Sequence, residues 1–511
     1  NQIASLNAER GVIVSETGTV IAMNPQTGEI LAMVSWPSYD NSRFARAIDV
    51  DYYLDVASNP LTPLVNHATQ SLYPPGSIWK IITAIGVLQE DVIDASSLLS
   101  DPGDLLLPNR YAPNDESRAQ RFVCWLPQGH GRLNLIGALA ASCDVYFYQV
   151  GGGNPEVSSA VLRPGGLGIE DLYRYGIAFG IGSRLGIELP FENAGFMPDR
   201  EWKRRTWGET WSTGDTYNAA FGQGYLNVTP LQLIASTAAV ANGGTMVQPT
   251  VVREIYDDEN NIIQPFQPET IRTLNLDEIE AGAPIRMLML EDMIMKGSDS
   301  LVCRCEQSSS YYNPVRCNPN NYTNTVNISG DPLFPEMRSY SVFVPNGYAF
   351  DERICTPLRF DPNYQPPFVQ ADHFSTVESG MRFAVIGEGG TSWAANLPYV
   401  TVAGKTGTAE YCDEIAWPLG LCRPGNWPAH AWFTAYASYE NPEILIMGFV
   451  YNGGEGSAVA LPIVVQTMEA YYRLQNERGE DTVEQVPTAG SGESPATLPA
   501  QPTDAALPNG I

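Results

Sequence analysis

The chain lacks a run of about 18 or more apolar residues, which a helix needs in order to cross a membrane. It is also poor in positive charge, with 29 lysine and arginine residues against 57 aspartate and glutamate residues and a formal net charge of -28. Proteins that bind nucleic acid neutralise phosphates with a basic surface, and no basic patch is visible here. We therefore predict no nucleic-acid partner; the acidity favours solubility and identifies no other partner.

The sequence also lacks a secretory signal, since it opens at Asn1 in a polar stretch. Its eight cysteines include no Cys-x-x-Cys pair of the kind that a cytosolic zinc ribbon uses. Four of them lie between residues 303 and 355, in a segment rich in proline, asparagine and tyrosine, and Cys412 and Cys422 bracket another loop. Cysteines in loops favour disulfides in an oxidising compartment.

The segment from residue 73 to residue 88 has the most distinctive pattern. Two prolines and a glycine interrupt the backbone, and a helix is predicted to begin at about Ser77. This helix is apolar nearly all round, so it should be buried, and Ser77 and Lys80 share one of its faces. Because burial favours the neutral amine, Lys80 could take the proton of Ser77 and leave a nucleophilic oxygen. The alternative is an ordinary helix-start serine beside a snorkelling lysine.

Strand patterns occur near both ends of the chain, at residues 20–23, 30–34, 400–410, 430–439 and 443–451. Helical patterns lie between and after them, at 132–150 with a break near Ser142, 230–241, 278–296, 374–386 and 461–474. This order predicts an α+β fold, with an antiparallel sheet built from both chain ends, flanking helices and an inserted all-helical subdomain. We expect one domain over 1–475, an insertion at about 297–370, and a disordered tail over 476–511.

Three short motifs follow one another at wide spacing, namely Ser77-x-x-Lys80, Ser142-Cys143-Asp144 and Lys405-Thr406-Gly407. Together they resemble the motifs of penicillin-recognising acyl-serine enzymes, which have the serine β-lactamase/transpeptidase-like fold. The resemblance covers about residues 11 to 475, and within the family this sequence looks most like class B penicillin-binding proteins of the elongation type. The further segments that carry it are Thr62-Pro63-Leu64-Val65-Asn66, Tyr73-Pro74-Pro75-Gly76, Arg200-Glu201-Trp202-Lys203, Gly214-Asp215-Thr216, Gly222-Gln223-Gly224-Tyr225 and Thr229-Pro230-Leu231-Gln232-Leu233.

The resemblance implies a DD-transpeptidase that acts on peptidoglycan stem peptides ending in D-Ala-D-Ala and is the target of β-lactam antibiotics. It implies a position at the extracytoplasmic face of the cell membrane, held there by an upstream anchor and pedestal that this chain does not include. A polytopic glycosyltransferase and scaffold proteins of the elongation machinery are the implied partners. The alternatives are a β-lactamase or DD-carboxypeptidase, which pass the acyl group to water, and a non-catalytic β-lactam sensor.

The same resemblance assigns roles. Ser77 would be the nucleophile, Lys80 its general base, and Ser142 a proton relay toward the leaving amine. The substrate carboxylate would lie on Lys405 and Thr406, and the N–H groups of Ser77 and Thr408 would form the oxyanion hole. Asp144 stands where many relatives carry asparagine, so its partner, either the substrate amide or Lys80, stays open. The predicted catalytic residues are Ser77, Lys80, Ser142, Asp144 and Lys405, and the predicted substrate-binding residues are Thr406, Gly407 and Thr408.

No cofactor is expected for catalysis, but one cluster has the spacing of a metal site. Cys124, His130 and Cys143 follow Asp101, and two thiolates, an imidazole and a carboxylate would suit tetrahedral, structural zinc. Some elongation-type relatives look similar, with a metal held beside the corresponding Ser-x-Asp motif by aspartate, histidine and cysteine at comparable spacing. The alternative is a Cys124–Cys143 disulfide with His130 on the surface. The remaining histidines are expected to be structural, because the serine and lysine chemistry needs none; they are His67, His373 and His430.

Overall fold

The computed structural model describes residues 17–45, 48–109, 111–275, 322–328, 340–345, 368–413, 416–417, 420–423 and 427–479. The predicted helix at 278–296, most of the 297–370 insertion and cysteines 303, 305, 317 and 355 lie outside the described residues. No helix within these ranges is both long enough and apolar enough to span a bilayer.

The strands are numbered in chain order. They are β1 Gly18–Met23, β2 Ile30–Trp36, β3 Leu99–Asp101, β4 Asp104–Leu107, β5 Gln120–Val123, β6 Gly131–Leu133, β7 Thr245–Val247, β8 Ile255–Tyr256, β9 Ile262–Gln264, β10 Thr270–Thr273, β11 Tyr322–Ile328, β12 Tyr340–Pro345, β13 Val402–Glu410, β14 Ala429–Ala437 and β15 Ile444–Val450.

The α-helices are numbered in the same way. They are α1 Val50–Ser58, α2 Lys80–Gln89, α3 Leu135–Ala140, α4 Asp144–Gly152, α5 Gly168–Ala178, α6 Arg200–Trp207, α7 Thr213–Ala220, α8 Pro230–Ala241, α9 Ala371–Ile386 and α10 Ala460–Arg478. Short 3₁₀ helices occupy Asn41–Phe44, Gly76–Trp79, Glu116–Arg118 and Trp393–Ala395.

The central sheet has five antiparallel strands in the order β13-β14-β15-β1-β2. Strand β1 pairs with β15, Gly18 opposite Val450, so the two ends of the described chain meet in the middle of the sheet. This arrangement confirms the predicted sheet. Strand β13 lies at one edge, with one side free of strand neighbours in the described part of the chain.

Two layers of helices cover the sheet. On one face the apolar helix α2, buried along nearly its whole length, packs in a large core with α4, α5 and α8. On the other face α10 packs against β14 and β15 in a second core. Gly448 permits the close approach, because a Cβ there would lie 3.0 Å from the side chain of Val464. The core thus encloses the start of α2, which carries Ser77 and Lys80.

Helix α8 illustrates how local sequence determines an element. Thr229 caps its start, and Gln232 returns a hydrogen bond to the Thr229 backbone, which completes a capping box. Pro230 occupies the first helical position, where its missing N–H costs nothing. The helix covers Pro230–Ala241, the range that the sequence predicts.

Two predictions on secondary structure need correction. Residues 90–130, for which the sequence pattern predicts no strand, contain strands β3, β4 and β5, which form two-stranded pairs too short to show an alternating pattern. The tail was predicted from residue 476, but α10 continues to Arg478 and ends at Gly479, whose φ of 70° suits glycine.

Candidate active site

Ser77 lies in the 3₁₀ turn that precedes α2, and the turn sits directly on β13. Gly76 adopts a φ of 55°, and a Cβ at this position would lie 2.6 Å from the carbonyl oxygen of Thr408. Only glycine fits so close to another backbone. The Gly76 N–H donates to the carbonyl of Gly222 at 2.9 Å, which fixes the turn from the other side. Ser77 is therefore held beside the strand that carries the Lys405 motif.

Ser142 lies at the predicted break between α3 and α4. Its φ of 53° is rare for a residue with a side chain, and the sharp turn places it between Lys80 and Lys405, the lysines of the other two motifs. Lys80 Nζ, which is completely buried, lies 2.7 Å from the Ser142 carbonyl oxygen and 3.4 Å from Ser142 Oγ. Lys405 Nζ lies 2.7 Å from the same Oγ. The hydroxyl of Ser142 thus connects the two amines.

The two lysines differ in their environments. Lys80 forms a 2.6 Å ion pair with Asp144 Oδ1. Lys405 is also fully buried, has no carboxylate within ion-pair distance among the described residues, and donates to the Thr406 carbonyl oxygen at 2.9 Å. Burial and, second, the positive charge of Lys80 hold the pKa of Lys405 well below its usual range. One amine is therefore stabilised as an ammonium, and the other is favoured as the neutral base.

Asp144 uses both of its carboxylate oxygens within the protein. Oδ1 accepts from Lys80, and Oδ2 accepts the backbone N–H of Trp125 at 3.0 Å. This answers the alternative that the sequence leaves open, because the carboxylate pairs with Lys80 in the structure. Ser77 Oγ, in contrast, makes no hydrogen bond to a described residue, and Lys80 Nζ donates to Ser142 and Asp144 instead.

Sequence reasoning missed several residues of the site. Trp125 also donates its indole N–H to the Ala141 carbonyl oxygen at 3.1 Å, and Thr391 Oγ1 accepts from Thr406 Oγ1 at 2.8 Å. Both lie in irregular segments with no periodic pattern. Gln223 belongs to a motif that the sequence singles out, but its partner was not visible. Its side-chain amide lies 2.9 Å from both the backbone N–H and the C=O of Glu410, and it hydrogen-bonds to both once its oxygen and nitrogen are exchanged.

The four residues of the predicted metal cluster come together. The ligand atoms of Asp101, Cys124, His130 and Cys143 all lie within 4.8 Å of one another. His130 Nδ1 is 2.7 Å from Asp101 Oδ2 and 3.4 Å from Cys124 Sγ. Cys143 Sγ is 3.2 Å from Asp101 Oδ2, and the two cysteines are not bonded to each other.

The chemistry of this donor set fits zinc. A hydrogen bond from Cys143, opposed by burial and assisted by His130, lowers the pKa of Cys124 to about 5, so this thiol is disposed to ionise. Burial raises the pKa of Cys143 well above its usual range. Two sulfurs, one nitrogen and one carboxylate oxygen at these separations match a four-coordinate structural site. The cluster adjoins the Ser142 motif, because Cys143 is the residue between Ser142 and Asp144.

The other histidines have structural contacts. His67 Nδ1 lies 2.8 Å from Ser71 Oγ, and His373 Nδ1 lies 3.1 Å from Gln89 Oε1. His430 is buried, accepts the Asn452 N–H at 3.3 Å, and has its pKa lowered to about 3 by burial.

A disulfide closes the loop that follows β13. Cys412 and Cys422 are bonded with an S–S distance of 2.07 Å, in agreement with the sequence expectation. The start of this loop is held on the sheet, since the ring of Tyr411 stacks on His430 at 3.9 Å and Asp413 accepts from Tyr451 at 2.8 Å. The end of β13 is thereby fixed beside the candidate site.

As a whole, the arrangement joins a serine at a helix start, two buried amines and a connecting hydroxyl. These parts can remove a proton from an attacking serine and return one to a leaving amine, which is the requirement for acyl transfer.

The chain is similar in sequence to known proteins. The pattern of the "Penicillin binding protein transpeptidase domain" family matches residues 18–281 and 337–469, more than half of the chain. The Haemophilus influenzae protein "Peptidoglycan D,D-transpeptidase MrdA" is 28% identical over 459 residues, which cover 89% of this chain and 52% of that protein. The chain therefore spans about half the length of this curated relative.

Solved structures agree with the fold. A crystal structure of Pseudomonas aeruginosa PBP2 in complex with WCK 5153 has a TM-score of 0.59 and 27% identity, covering 92% of this chain and 76% of that one. The complex of PBP2 and MreC from Helicobacter pylori has a TM-score of 0.57 and 22% identity, covering 92% of this chain and 61% of that one. The second likeness concerns the fold alone. The predicted fold class is confirmed.

Proposed function

The chain belongs to the penicillin-binding protein transpeptidase family, and from this premise we propose that it is a serine DD-transpeptidase that cross-links peptidoglycan. Its donor substrates would be stem peptides that end in D-Ala-D-Ala, and β-lactams would acylate the same serine. The observation that carries the proposal is the contact of Ser142 Oγ with both Lys80 and Lys405 beside Ser77. The name of the Haemophilus influenzae relative supports the same activity.

The first step is acylation. Ser77 Oγ attacks the carbonyl carbon of the penultimate D-Ala, while the N–H groups of Ser77 and Thr408 stabilise the oxyanion. Lys80 takes the serine proton once its own extra proton has passed through Ser142 to Lys405, the amine whose pKa burial lowers. A substrate carboxylate bound at Lys405 and Thr406 favours this transfer, because it stabilises the new ammonium.

The acyl-enzyme then forms as the amide C–N bond breaks. Ser142 passes a proton to the nitrogen of the departing D-Ala, and Lys405 restores the proton of Ser142. In the second half-reaction an amine of a neighbouring stem peptide attacks the acyl carbon. A new amide bond forms, the C–O bond to Ser77 breaks, and the proton of the amine returns to the serine. No cofactor takes part in these steps.

The proposal is tested by the fate of the acyl group. The chain is incubated with a D-Ala-D-Ala stem pentapeptide and an amine acceptor, and the products are separated by mass. We expect release of D-Ala together with the new amide. Free acid without amide would identify a DD-carboxypeptidase, and rapid hydrolysis of penicillin would identify a β-lactamase. A stable penicillin adduct with no reaction of the pentapeptide would identify a sensor.

The place and partners of the protein are proposed from the family. The catalytic part would work at the extracytoplasmic face of the membrane, with an elongation-type glycosyltransferase and a scaffold protein. The Helicobacter pylori PBP2, which shares the fold, was solved in complex with MreC. Domain organisation follows the same line: one transpeptidase domain up to about residue 475, with an insertion at about 297–370 that overlaps the interval between the two family matches.

We further propose that the four-residue cluster holds one structural zinc ion. Asp101, Cys124, His130 and Cys143 would be the ligands, and the ion would neutralise two thiolates and a carboxylate in a buried place. Trp125, which follows Cys124, donates to Asp144, so the ion would also stabilise the backbone around the Ser142 motif. The zinc is not assigned to any step of the reaction.

Loss of one ligand should therefore remove the metal and lower stability. We expect about one zinc per purified chain by elemental analysis, less than half of that in Cys143→Ser, and a melting temperature lowered by several degrees. The matched control is the double variant Cys412→Ser/Cys422→Ser, which removes two sulfurs that do not belong to the cluster and should keep its zinc. A wild-type chain without zinc, or one with a mass deficit of two hydrogens at Cys124 and Cys143, would contradict the metal site.

A further inference from the structure

Strand β13 extends beyond the residues already discussed and ends at Glu410. Side chains alternate between the two faces of a strand, so Thr406, Thr408 and Glu410 share one face. The alternation is visible in their burial, because Lys405 and Ala409 are fully buried whereas Thr408 and Glu410 are exposed. Glu410 therefore lies on the same side as the proposed carboxylate and oxyanion groups, one pleat further along.

The backbone of Glu410 is held in place. It pairs with Ala429 of β14 on one side, and on the other the amide of Gln223, in the exchanged orientation, lies at 2.9 Å from its N–H and C=O. The disulfide loop begins two residues later, at Cys412. The backbone of Glu410 is thus held from both sides of the strand.

The carboxylate of Glu410 has no counter-charge. It forms neither an ion pair nor a side-chain hydrogen bond with any residue that the structure describes, unlike Asp144, which uses both oxygens. Partial burial of the carboxylate, although the residue as a whole is exposed, and then the negative charge of Asp144 raise the pKa of Glu410. A cation beside this carboxylate would be stabilised, because no described residue neutralises its charge.

The proposed function determines which part of a substrate reaches Glu410. If the terminal carboxylate lies at Lys405 and Thr406 and the scissile carbonyl at the Thr408 N–H, the peptide continues along β13 toward Glu410. Two strand residues span about 7 Å, which is the distance from Thr408 to Glu410 along the strand. The scissile carbonyl belongs to the penultimate residue of the stem, so the residue before it, the third of the pentapeptide, lies beside Glu410.

We propose that Glu410 is the specificity residue for the donor stem peptide and binds the ammonium group on the side chain of its third residue. This inference rests on the proposed transpeptidase function and adds that residue three is a diamino acid with a free amine. β-Lactams carry no such residue, so their reaction with Ser77 should not depend on Glu410. That difference separates recognition by Glu410 from a general effect on the site.

The test measures acylation alone, as the rate of D-Ala release in a single turnover without acceptor. Two pentapeptides are compared, one with a free side-chain amine at position three and one in which this amine is acetylated. We expect the wild type to prefer the free amine by about tenfold, and Glu410→Gln to reduce this ratio to about one. Acylation by a fluorescent penicillin should change less than about twofold, which shows that the variant is folded.

A charge-reversed variant makes the test stricter. Glu410→Lys should prefer a donor whose side-chain amine has been succinylated and thus carries a carboxylate. This reversal of donor preference would not occur if Glu410 only supported the fold. Equal use of both donors by the wild type would overturn the inference while leaving the transpeptidase function intact, as would an equal loss with both donors and penicillin in Glu410→Gln. No D-Ala release from either donor would overturn the proposed function itself.

Discussion

Replacing Ser77 by alanine should abolish the covalent adduct that the wild type forms with a fluorescent penicillin. Ser77 is the serine at the start of α2, beside Lys80, Ser142 and the Thr408 N–H, and the reaction needs its oxygen. Because no other described serine lies in this arrangement, we expect the acylation rate to fall by at least about 10⁴-fold. Intact mass measures the adduct directly, and gel fluorescence gives its rate.

A control variant separates this effect from misfolding. Ser58→Ala changes an exposed serine at the end of α1 and should label at the wild-type rate. The melting temperature of Ser77→Ala should stay near that of the wild type, because a small polar side chain without a hydrogen-bond partner is removed. An adduct that persists in Ser77→Ala would show that another residue is the nucleophile, and the proposed acyl-enzyme would then be wrong.

Two substitutions of Asp144 should differ strongly in how much they lower the free energy of unfolding. Asp144→Leu leaves the fully buried ammonium of Lys80 without its counter-charge, and removal of one partner of a buried ion pair costs about 3–5 kcal/mol. Asp144→Asn keeps an oxygen for Lys80 or for the Trp125 N–H and should cost much less, about 1–2 kcal/mol. Thermal unfolding with a fluorescent reporter of tertiary structure measures both.

The same pair of variants reports on catalysis. We expect Asp144→Asn to retain penicillin acylation, since asparagine is what the wider resemblance places at this position, and Asp144→Leu to lose most of it. Asp115→Asn is the control, because this exposed carboxylate pairs with Arg118 at the surface and contributes little. Equal stability of the asparagine and leucine variants would mean that the contact between Lys80 and Asp144 does not stabilise the fold.

Much of the fold follows from patterns that are local. Helix α8 carries its own capping box and proline, and the strands near each end of the chain alternate clearly enough to be identified and joined into one sheet. The short strands β3 to β6 could not be found in this way, because three or four residues show no reliable period. Strands β3, β4 and β5 pack on α4, and the ring of Phe122 in β5 lies 5.0 Å from the ring of Tyr217 in α7.

The sequence by itself determined which residues would form the site, because Ser77, Lys80, Ser142 and Lys405 stand in motifs whose chemistry is specific. It also identified the four members of the candidate metal cluster by residue type and spacing. Only the tertiary structure decided how these groups pair. The choice of Lys80 rather than substrate as the partner of Asp144 depends on distances between α2 and α4, elements more than fifty residues apart in the chain.

The same holds for the residues that sequence reasoning missed. Trp125 and Thr391 act through a backbone N–H and a hydroxyl in irregular segments, and such groups carry no pattern because any residue can supply an N–H and threonine is common. The free carboxylate of Glu410 was equally invisible, since a residue lacks a counter-charge only with respect to its neighbours in space. Residue type and spacing determine chemistry, whereas contact, burial and charge balance arise when distant segments pack together.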